Sequence, residues 1–205
     1  MLSTKDGKMI ILSSPSGAGK TTLVKKISQE KKNYKISISH TTRQPRANEL
    51  NGKDYFFVKE KEFKKLINQN AFLEYASVFK NLYGSTKKQV FDNLEKGFDV
   101  LFDIDWQGTQ QIKNQILNYK LISFFILPPS RKVLNERLVS RGESNKEIIQ
   151  MRMEQFDKDV LHWKEYDYVV VNEDLNECYN NIIGYLENTK EYHKSDIENH
   201  IKNLI

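Results

Sequence analysis

The chain has 205 residues, of which 39% are hydrophobic, and this size and apolar content suffice for one folded domain and exclude global disorder. Its 32 Lys and Arg against 27 Asp and Glu give a formal net charge of +5, which favours anionic partners without choosing among nucleotides, nucleic acids and membranes. No apolar run approaches the roughly 18 residues of a membrane span. The first residues show no signal-peptide pattern, so we expect a soluble, cytoplasmic protein.

Strands and helices are predicted to alternate along the chain. Short apolar runs predict strands over 9–14, 36–40, 55–58, 72–78, 99–105, 120–127 and 167–171. Helical spacing and end signals predict helices over 20–30, 60–70, 85–97 and 130–142, a long helix after Ser144, and a last helix over 175–190. The tail from Glu191 to Ile205 is polar with scattered apolar residues, so an exposed helix and a frayed end both stay open. The alternation predicts an α/β fold around a mainly parallel sheet.

A phosphate-binding loop is predicted between the first strand and the first helix. The segment SPSGAGKTT offers a glycine-bearing turn and a helix N-terminus for phosphate oxygens, Lys20 as a positive charge and the Thr21 hydroxyl for Mg²⁺. The first position of the usual GxxxxGK[ST] pattern is Ser14 instead of glycine. We expect a nucleoside triphosphate donor bound by Ser14, Pro15, Ser16, Gly17, Ala18, Gly19, Lys20, Thr21 and Thr22.

The long polar segment after the first helix points to the phosphoryl acceptor. Arg43 and Arg46 lie three apart across a proline, a spacing that can direct two guanidinium groups at one phosphate. Together with SPSGAGKTT, the segment SHTTRQPRANELNGKDYFFV resembles the guanylate kinase family, and so do FLEYASV, LYGST and LFDIDWQG in the same order, over Met9 to Leu186. The resemblance implies a P-loop NTPase-type three-layer sandwich with a GMP-binding insertion and a helical lid. It also implies ATP-dependent phosphorylation of GMP, and of dGMP, in purine nucleotide metabolism.

The same resemblance implies a GMP site formed by Ser39, Arg43, Arg46, Glu49, Tyr55, Glu74, Tyr83, Ser85 and Asp105. The arginines and tyrosines suit the GMP phosphate. A carboxylate such as Glu74 can accept both N–H donors on the pairing edge of guanine, and a hydroxyl of Ser39 or Ser85 can donate to the guanine carbonyl; adenine offers no such set. By residue type alone, Glu74 could equally lie on the exposed face of a strand.

The implied catalytic residues are Lys20, Arg43, Arg137, Arg141 and Arg152, of which the last three lie on helices that resemble the family's lid. Phosphoryl transfer depends on neutralising charge on the transferred group, and arginines that close over ATP would do this and exclude water. Asp103 and Asp105 end an apolar strand. We assign Asp103, with Thr21, to the metal and Asp105 to the acceptor, with helix capping as the alternative for either carboxylate. Asn172 matches a position near the adenine of ATP.

We divide the single predicted domain into a core (1–39, 96–128 and 165–190), a GMP-binding region (40–95), a lid (129–164) and a tail (191–205). The expected cofactor is Mg²⁺, the expected partners are ATP and GMP, without nucleic acid or membrane, and the expected state is a monomer or homodimer.

Three alternatives stay open. They are a non-catalytic module that binds phosphorylated proteins, against which the intact Lys20 and Thr21 argue; a nucleic-acid-binding protein, against which the interspersed acidic residues argue; and a kinase for another base, against which Glu74 and Ser39 argue.

Overall fold

The structure, a computed structural model, describes residues 6–115, 117–140 and 146–205. The strands are β1 (Met9–Ser13), β2 (Tyr34–Ile36), β3 (His40–Thr41), β4 (Phe56–Phe57), β5 (Phe72–Val78), β6 (Asn81–Thr86), β7 (Asp99–Asp103), β8 (Leu121–Leu127) and β9 (Tyr168–Val171). The helices are α1 (Lys20–Glu30), α2 (Glu60–Asn68), α3 (Lys87–Leu94), α4 (Trp106–Lys113), α5 (Arg131–Ser140), α6 (Lys146–Asp159), α7 (Leu175–Leu186) and α8 (Lys194–Leu204), with a 3₁₀ helix over Val160–Glu165.

The strands form two sheets. A five-stranded sheet has the order β2-β7-β1-β8-β9, and its β2–β7 and β8–β9 pairs are parallel. The strands β1, β7 and β8 are near-continuous apolar runs and are buried along almost their whole length, as expected for parallel strands covered on both faces. A four-stranded sheet has the order β4-β3-β6-β5, with β6 antiparallel to both of its neighbours. The predicted α/β class with a central parallel sheet is confirmed.

The chain folds into two compact units, and neither is continuous in sequence. One contains residues up to Ile10 and Lys31–Leu121; the other contains Ile11–Glu30 and Ile122–Ile205. The first unit holds the four-stranded sheet and α2 to α4, and the second holds α1 and α5 to α8. All the residues predicted to bind GMP fall in the first unit, and the residues predicted to bind ATP fall in the second. The finer division into core, GMP-binding region, lid and tail stays a prediction.

Two elements of the structure differ from the sequence prediction in an informative way. The strand predicted over 36–40 is wrong as a single strand, because β2 pairs with β7 in one sheet and β3 pairs with β4 and β6 in the other. The strand β6 was not predicted, since its sequence NLYGST lacks an alternating apolar pattern. Pairing with β5 along almost its whole length explains its strand conformation. Gly142 and Ser144, the predicted signals between α5 and α6, lie outside the described residues.

The tail forms a packed helix instead of an exposed one. Ile201 and Leu204 of α8 are 4% and 1% exposed and join a cluster that includes Phe156 and Trp163. The Nη1 of Arg131 donates a hydrogen bond to the main-chain oxygen of Leu204 at 3.2 Å. Of the two alternatives for the tail, the helix is therefore the one observed, with its apolar side buried.

Candidate active site

The loop between β1 and α1 depends on two glycines. In this loop, all of which the structure describes, positive φ angles occur at Gly17 (96°) and Gly19 (97°). A Cβ atom would lie 2.7 Å from Cδ1 of Leu134 at the first position and 2.2 Å from Nδ2 of Asn172 at the second. Both positions thus require glycine for conformation and for space. Ser14 does not have a positive φ, so the departure from the usual first glycine is compatible with the loop.

The loop leads directly into α1, whose first residue is Lys20. The first turn of α1 contains no acidic residue. No carboxylate in that turn therefore offsets the positive end of the helix dipole or the Lys20 charge, and both attract an anion. Lys20 is half-buried and Thr21 is exposed. This part of the second unit has the electrostatics of a phosphate site.

Asn172 is hydrogen-bonded to this loop. Its side chain is 4% exposed and donates a hydrogen bond to the main-chain oxygen of Ala18 at 2.7 Å. Its main-chain oxygen accepts a hydrogen bond from Nη2 of Arg137 at 2.9 Å. Asn172 thus connects the phosphate loop with a predicted lid arginine. Its predicted contact with ATP stays a prediction.

Two of the three predicted lid arginines approach the loop within the second unit. Arg137 on α5 reaches the oxygen of Asn172, and Nη1 of Arg152 on α6 donates to Oγ of Ser16 at 3.3 Å. Arg141 lies outside the described residues. The helices α5 and α6 therefore bring two guanidinium groups to the loop that would hold the donor phosphates.

Three buried polar side chains lie on adjacent strands in the first unit. Glu74 on β5 is 3% exposed and stands opposite Ser85 of β6 in the strand register. Ser85 is fully buried, and its Oγ lies 3.3 Å from Oγ of Ser39, which precedes β3. The alternative of an exposed Glu74 is therefore wrong. Burial of a carboxylate and two hydroxyl groups is costly unless these groups find hydrogen-bond partners.

A second cluster in the first unit is cationic. The Nη2 of Arg43 donates to both carboxylate oxygens of Glu49, at 2.8 and 2.9 Å, and the main-chain N–H of Arg46 donates to Oε2 of Glu49 at 2.8 Å. Burial lowers the pKa of Arg43, but Glu49 and Tyr83 outweigh burial and the net pKa is raised. Burial raises the pKa of Glu49, and Arg43 and Arg46 outweigh it, so the net pKa is lowered. Both side chains are therefore charged at neutral pH.

Two tyrosines adjoin this cluster. The guanidinium of Arg43 lies 5.4 Å from the ring centroid of Tyr55, and the rings of Tyr55 and Tyr83 are 6.0 Å apart in an edge-on arrangement. Burial, with the nearby Asp103 and Tyr83, raises the pKa of Tyr55. Its hydroxyl therefore keeps its proton and can donate a hydrogen bond to an anion.

The chain that carries these clusters is similar to proteins of a known family. A protein-family model described as Guanylate kinase matches residues 6–189 of the chain. The chain belongs to the guanylate kinase family. Guanylate kinases transfer the terminal phosphoryl group of ATP to GMP, which gives ADP and GDP, and this is the function of the chain.

Individual guanylate kinases match over most of the chain. A guanylate kinase of Hyphomonas neptunium is 45% identical over 201 residues, which are 97% of this chain and 92% of the relative. One of Rickettsia bellii is 48% identical over 171 residues, which are 83% and 88% of the two chains. The crystal structure of guanylate kinase from Anaplasma phagocytophilum superposes with a TM-score of 0.75 at 35% identity and covers 90% of this chain and 87% of that one.

The two aspartates at the end of β7 differ in this guanylate kinase-family chain. Asp105 is the N-cap of α4: its Oδ1 accepts a hydrogen bond from the main-chain N–H of Gly108 at 3.0 Å, and its Oδ2 accepts one from Gln107 at 2.9 Å. The capping alternative is therefore confirmed for Asp105, and its role toward GMP stays a prediction. Asp103 is the last residue of β7 and is half-buried. Its role toward the metal is likewise untested.

Sequence reasoning missed two residues beside the buried trio. The side-chain amides of Gln111 on α4 and of Gln115, two residues past the end of α4, hydrogen-bond the backbone of β5 on both sides of Glu74. The segment WQGTQQIKNQ gives no signal for these contacts, because glutamines at such spacing are typical of any solvated helix face.

Proposed function

We propose that the chain binds guanine through the buried trio of Glu74, Ser39 and Ser85, and that this trio makes GMP the preferred acceptor. The observation that carries the proposal is the burial of Glu74 opposite Ser85 on neighbouring strands. Guanine presents two adjacent N–H donors, which one carboxylate can accept together, and a carbonyl, to which a serine hydroxyl can donate. Adenine would leave these buried groups unpaired, a loss that can separate substrates by several orders of magnitude. Since none of the three residues faces the 2′ position by this assignment, dGMP is expected to be a substrate as well.

The GMP phosphate is assigned to Arg43, Arg46, Tyr55 and Tyr83. Glu49 carries a negative charge and would repel a phosphate directly. Its bonds to Arg43 and to the backbone of Arg46 support a different role, in which it holds the guanidinium groups in place for the phosphate. The acceptor needs no general base, because a phosphate monoester is already anionic near neutral pH.

The ATP phosphates are assigned to residues 14–22, with Lys20 as the main charge. Arg137, Arg141 and Arg152 are assigned to the charge on the transferred phosphoryl group, since this reaction is accelerated mainly by positioning and electrostatic stabilisation. We propose that the phosphoryl group is transferred in line to a phosphate oxygen of GMP.

We propose Thr21 and Asp103 as the residues that would bind Mg²⁺. The Thr21 hydroxyl is exposed at the second residue of α1, and Asp103 supplies a carboxylate at the end of β7. Both are oxygen ligands, which Mg²⁺ prefers, and the ion would neutralise charge on the ATP phosphates.

In the described residues, no helix is long and apolar enough to cross a bilayer. We further propose a cytoplasmic location, where ATP and GMP are available, and a monomer or homodimer.

The assignment is tested by measuring ADP release with ATP and Mg²⁺ and with GMP, dGMP, IMP, AMP, UMP, CMP and dTMP as acceptors. Turnover with GMP and dGMP, weak activity with IMP and no activity with the other acceptors are expected. Glu74→Gln should raise KM for GMP and leave KM for ATP unchanged. Equal activity on AMP would refute the assignment of Glu74.

The assignment of Lys20 has its own test. Lys20→Ala is expected to reduce kcat by about 100-fold or more, the usual cost of losing one preorganised charge donor in a transition state. Lys25→Ala, an exposed position on the same helix, serves as the control and should keep full activity. Near-normal turnover of Lys20→Ala would contradict the proposed donor site.

A further inference from the structure

We propose that α4 positions the guanine-recognising carboxylate: Gln111 is a positioning residue that holds the β5 backbone beside Glu74, and Gly108 provides the space that the carboxylate occupies. The inference rests on the proposed role of Glu74. It adds residues that determine specificity without touching the base.

The strand β5 lies at the edge of the four-stranded sheet, where one side of its backbone has no neighbouring strand. Gln111 takes the place of such a neighbour at Tyr75. Its Oε1 accepts a hydrogen bond from the Tyr75 N–H at 3.0 Å, and its Nε2 donates to the Tyr75 carbonyl at 2.7 Å. One side-chain amide thus reproduces the two bonds that a paired strand residue would make.

Gln115, two residues past the end of α4, completes this attachment. Its Nε2 donates to the carbonyl of Leu73 at 2.7 Å. The contacts at Leu73 and Tyr75 flank Glu74 directly, so the backbone on both sides of the carboxylate-bearing residue is attached to α4 and to the segment that follows it.

The sheet register explains why β5 needs this attachment. Glu74 pairs with Ser85 and Phe72 pairs with Thr86, so the register between β5 and β6 shifts between Phe72 and Glu74. A slip by one residue turns every side chain of a strand to the opposite face. In such a slip Glu74 would leave the buried trio. Gln111 and Gln115 select the register in which its carboxylate is buried.

Gly108 fixes how close the carboxylate comes to α4. A Cβ atom at this position would lie 2.5 Å from Oε2 and 3.1 Å from Cδ of Glu74. Contacts below 3.0 Å force a shift, so any larger residue would displace the carboxylate. The helix N-cap Asp105 holds Gly108 in place through the Gly108 N–H. Selectivity for GMP would therefore depend on uncharged residues of α4, such as Gly108.

The experiment compares Gln111→Ala, Gly108→Ala and a control, Asn114→Ala, whose side chain is exposed near the end of the same helix. The assays measure KM and kcat for GMP, KM for ATP, and the ratio of kcat/KM for GMP over IMP, since IMP lacks the amino group that Glu74 would bind. Gln111→Ala is expected to raise KM for GMP and to lower the GMP/IMP ratio, each by roughly tenfold for the two lost hydrogen bonds. KM for ATP should stay constant, and Asn114→Ala should match the wild type.

Gly108→Ala separates positioning from stability. Alanine favours a helix more than glycine does. If Gly108 mattered only for the fold, Gly108→Ala would keep or raise the stability and leave the GMP selectivity unchanged. A lower GMP/IMP ratio with an unchanged melting temperature and an unchanged KM for ATP would support the positioning role. If Gln111→Ala fails to fold, Gln111→Glu, which keeps the acceptor for Tyr75 N–H and loses the donor, takes its place.

The outcomes distinguish this inference from the proposal on which it rests. Loss of GMP/IMP discrimination in Glu74→Gln, with unchanged discrimination in the Gln111 and Gly108 variants, would overturn the positioning role and keep the guanine site. Unchanged discrimination in Glu74→Gln would refute the guanine site itself. A parallel rise of KM for GMP and for ATP in Gln111→Ala would also overturn the inference, because it would indicate a general loss of structure.

Discussion

The side-chain Nδ2 of Asn172 donates a hydrogen bond to the main-chain oxygen of Ala18 at 2.7 Å, although 154 residues separate the two in the chain. The bond is buried and fixes the orientation of a peptide group within the phosphate loop. The same residue also accepts a hydrogen bond from Arg137 on its main-chain oxygen. A single amide side chain, distant in sequence, therefore sets the shape of the site for the donor.

Asn172→Asp is expected to impair ATP binding with little change in side-chain shape. The variant replaces the donor to Ala18 with a carboxylate oxygen, which would face a carbonyl oxygen. Leaving a buried acceptor without its donor costs about 1–3 kcal/mol, so KM for ATP should rise about tenfold or more. Steady-state kinetics at saturating GMP measure this change, with Glu173→Ala, the exposed neighbour, as the control. A folded Asn172→Asp enzyme with the KM of the wild type would contradict the role of the bond.

Glu49→Gln is expected to weaken GMP binding, because the carboxylate holds Arg43 and closes the turn at Arg46. Loss of about 1 kcal/mol of charge-assisted hydrogen bonding corresponds to a rise of about fivefold in KM for GMP. KM for ATP should not change. The opposite result, a lower KM for GMP, would show that Glu49 acts mainly by repelling the phosphate, and it would refute the orienting role.

The stability of the protein is expected to fall at mildly acidic pH because of His40. Its ring stacks on Phe56 at 4.8 Å, and burial lowers its pKa below 6.5 despite the opposing charge of Glu62. A folded-state pKa below the unfolded value means that the unfolded chain binds the proton more readily. The stabilising contribution is therefore full above pH 6.5 and is lost as the pH falls from there through the folded-state pKa.

Urea unfolding at pH 7.5 and pH 5.5 measures this dependence. His40→Phe keeps an aromatic ring between Phe56 and Phe72 and should reduce the difference between the two pH values. His193→Gln, at an exposed position, should behave as the wild type. A pH dependence that survives unchanged in His40→Phe would assign the effect to another group.

Leu204→Ala is expected to destabilise the fold strongly although it lies one residue from the end of the sequence. The side chain is 1% exposed within the cluster that includes Phe156 and Trp163, and removal of such a leucine costs about 2–5 kcal/mol. Ile205→Ala, next in the sequence and 64% exposed, is the matched control and should change the free energy of unfolding by less than about 0.5 kcal/mol. Equal effects of the two changes would mean that α8 is not part of the core.

Prediction from sequence was most accurate where short-range patterns determine structure. The strand β5 and the helix α1 have the predicted bounds, because an apolar run and a helical repeat each specify their own element. The phosphate loop was predicted equally well, since its glycines are needed for local backbone angles. The motif order also sufficed to recognise the family.

The remaining features depend on contacts between distant residues. Glu74 could not be assigned to a buried face from its strand pattern, because its burial follows from the register with Ser85. The break between β2 and β3 follows from pairing in two different sheets, which no local pattern encodes. Likewise, the burial of α8 depends on an apolar cluster that includes residues of five other elements, while its own sequence is mostly polar.

The order of synthesis gives the bond between Asn172 and Ala18 one more consequence. The phosphate loop is made before its anchor, which follows 154 residues later. At about 5–20 residues per second, roughly 8 to 30 s of translation pass before that anchor exists. A growing chain therefore carries the nucleotide-binding motif long before Asn172 can hold that motif in shape, and ATP can stabilise the second unit only after Asn172 has been made.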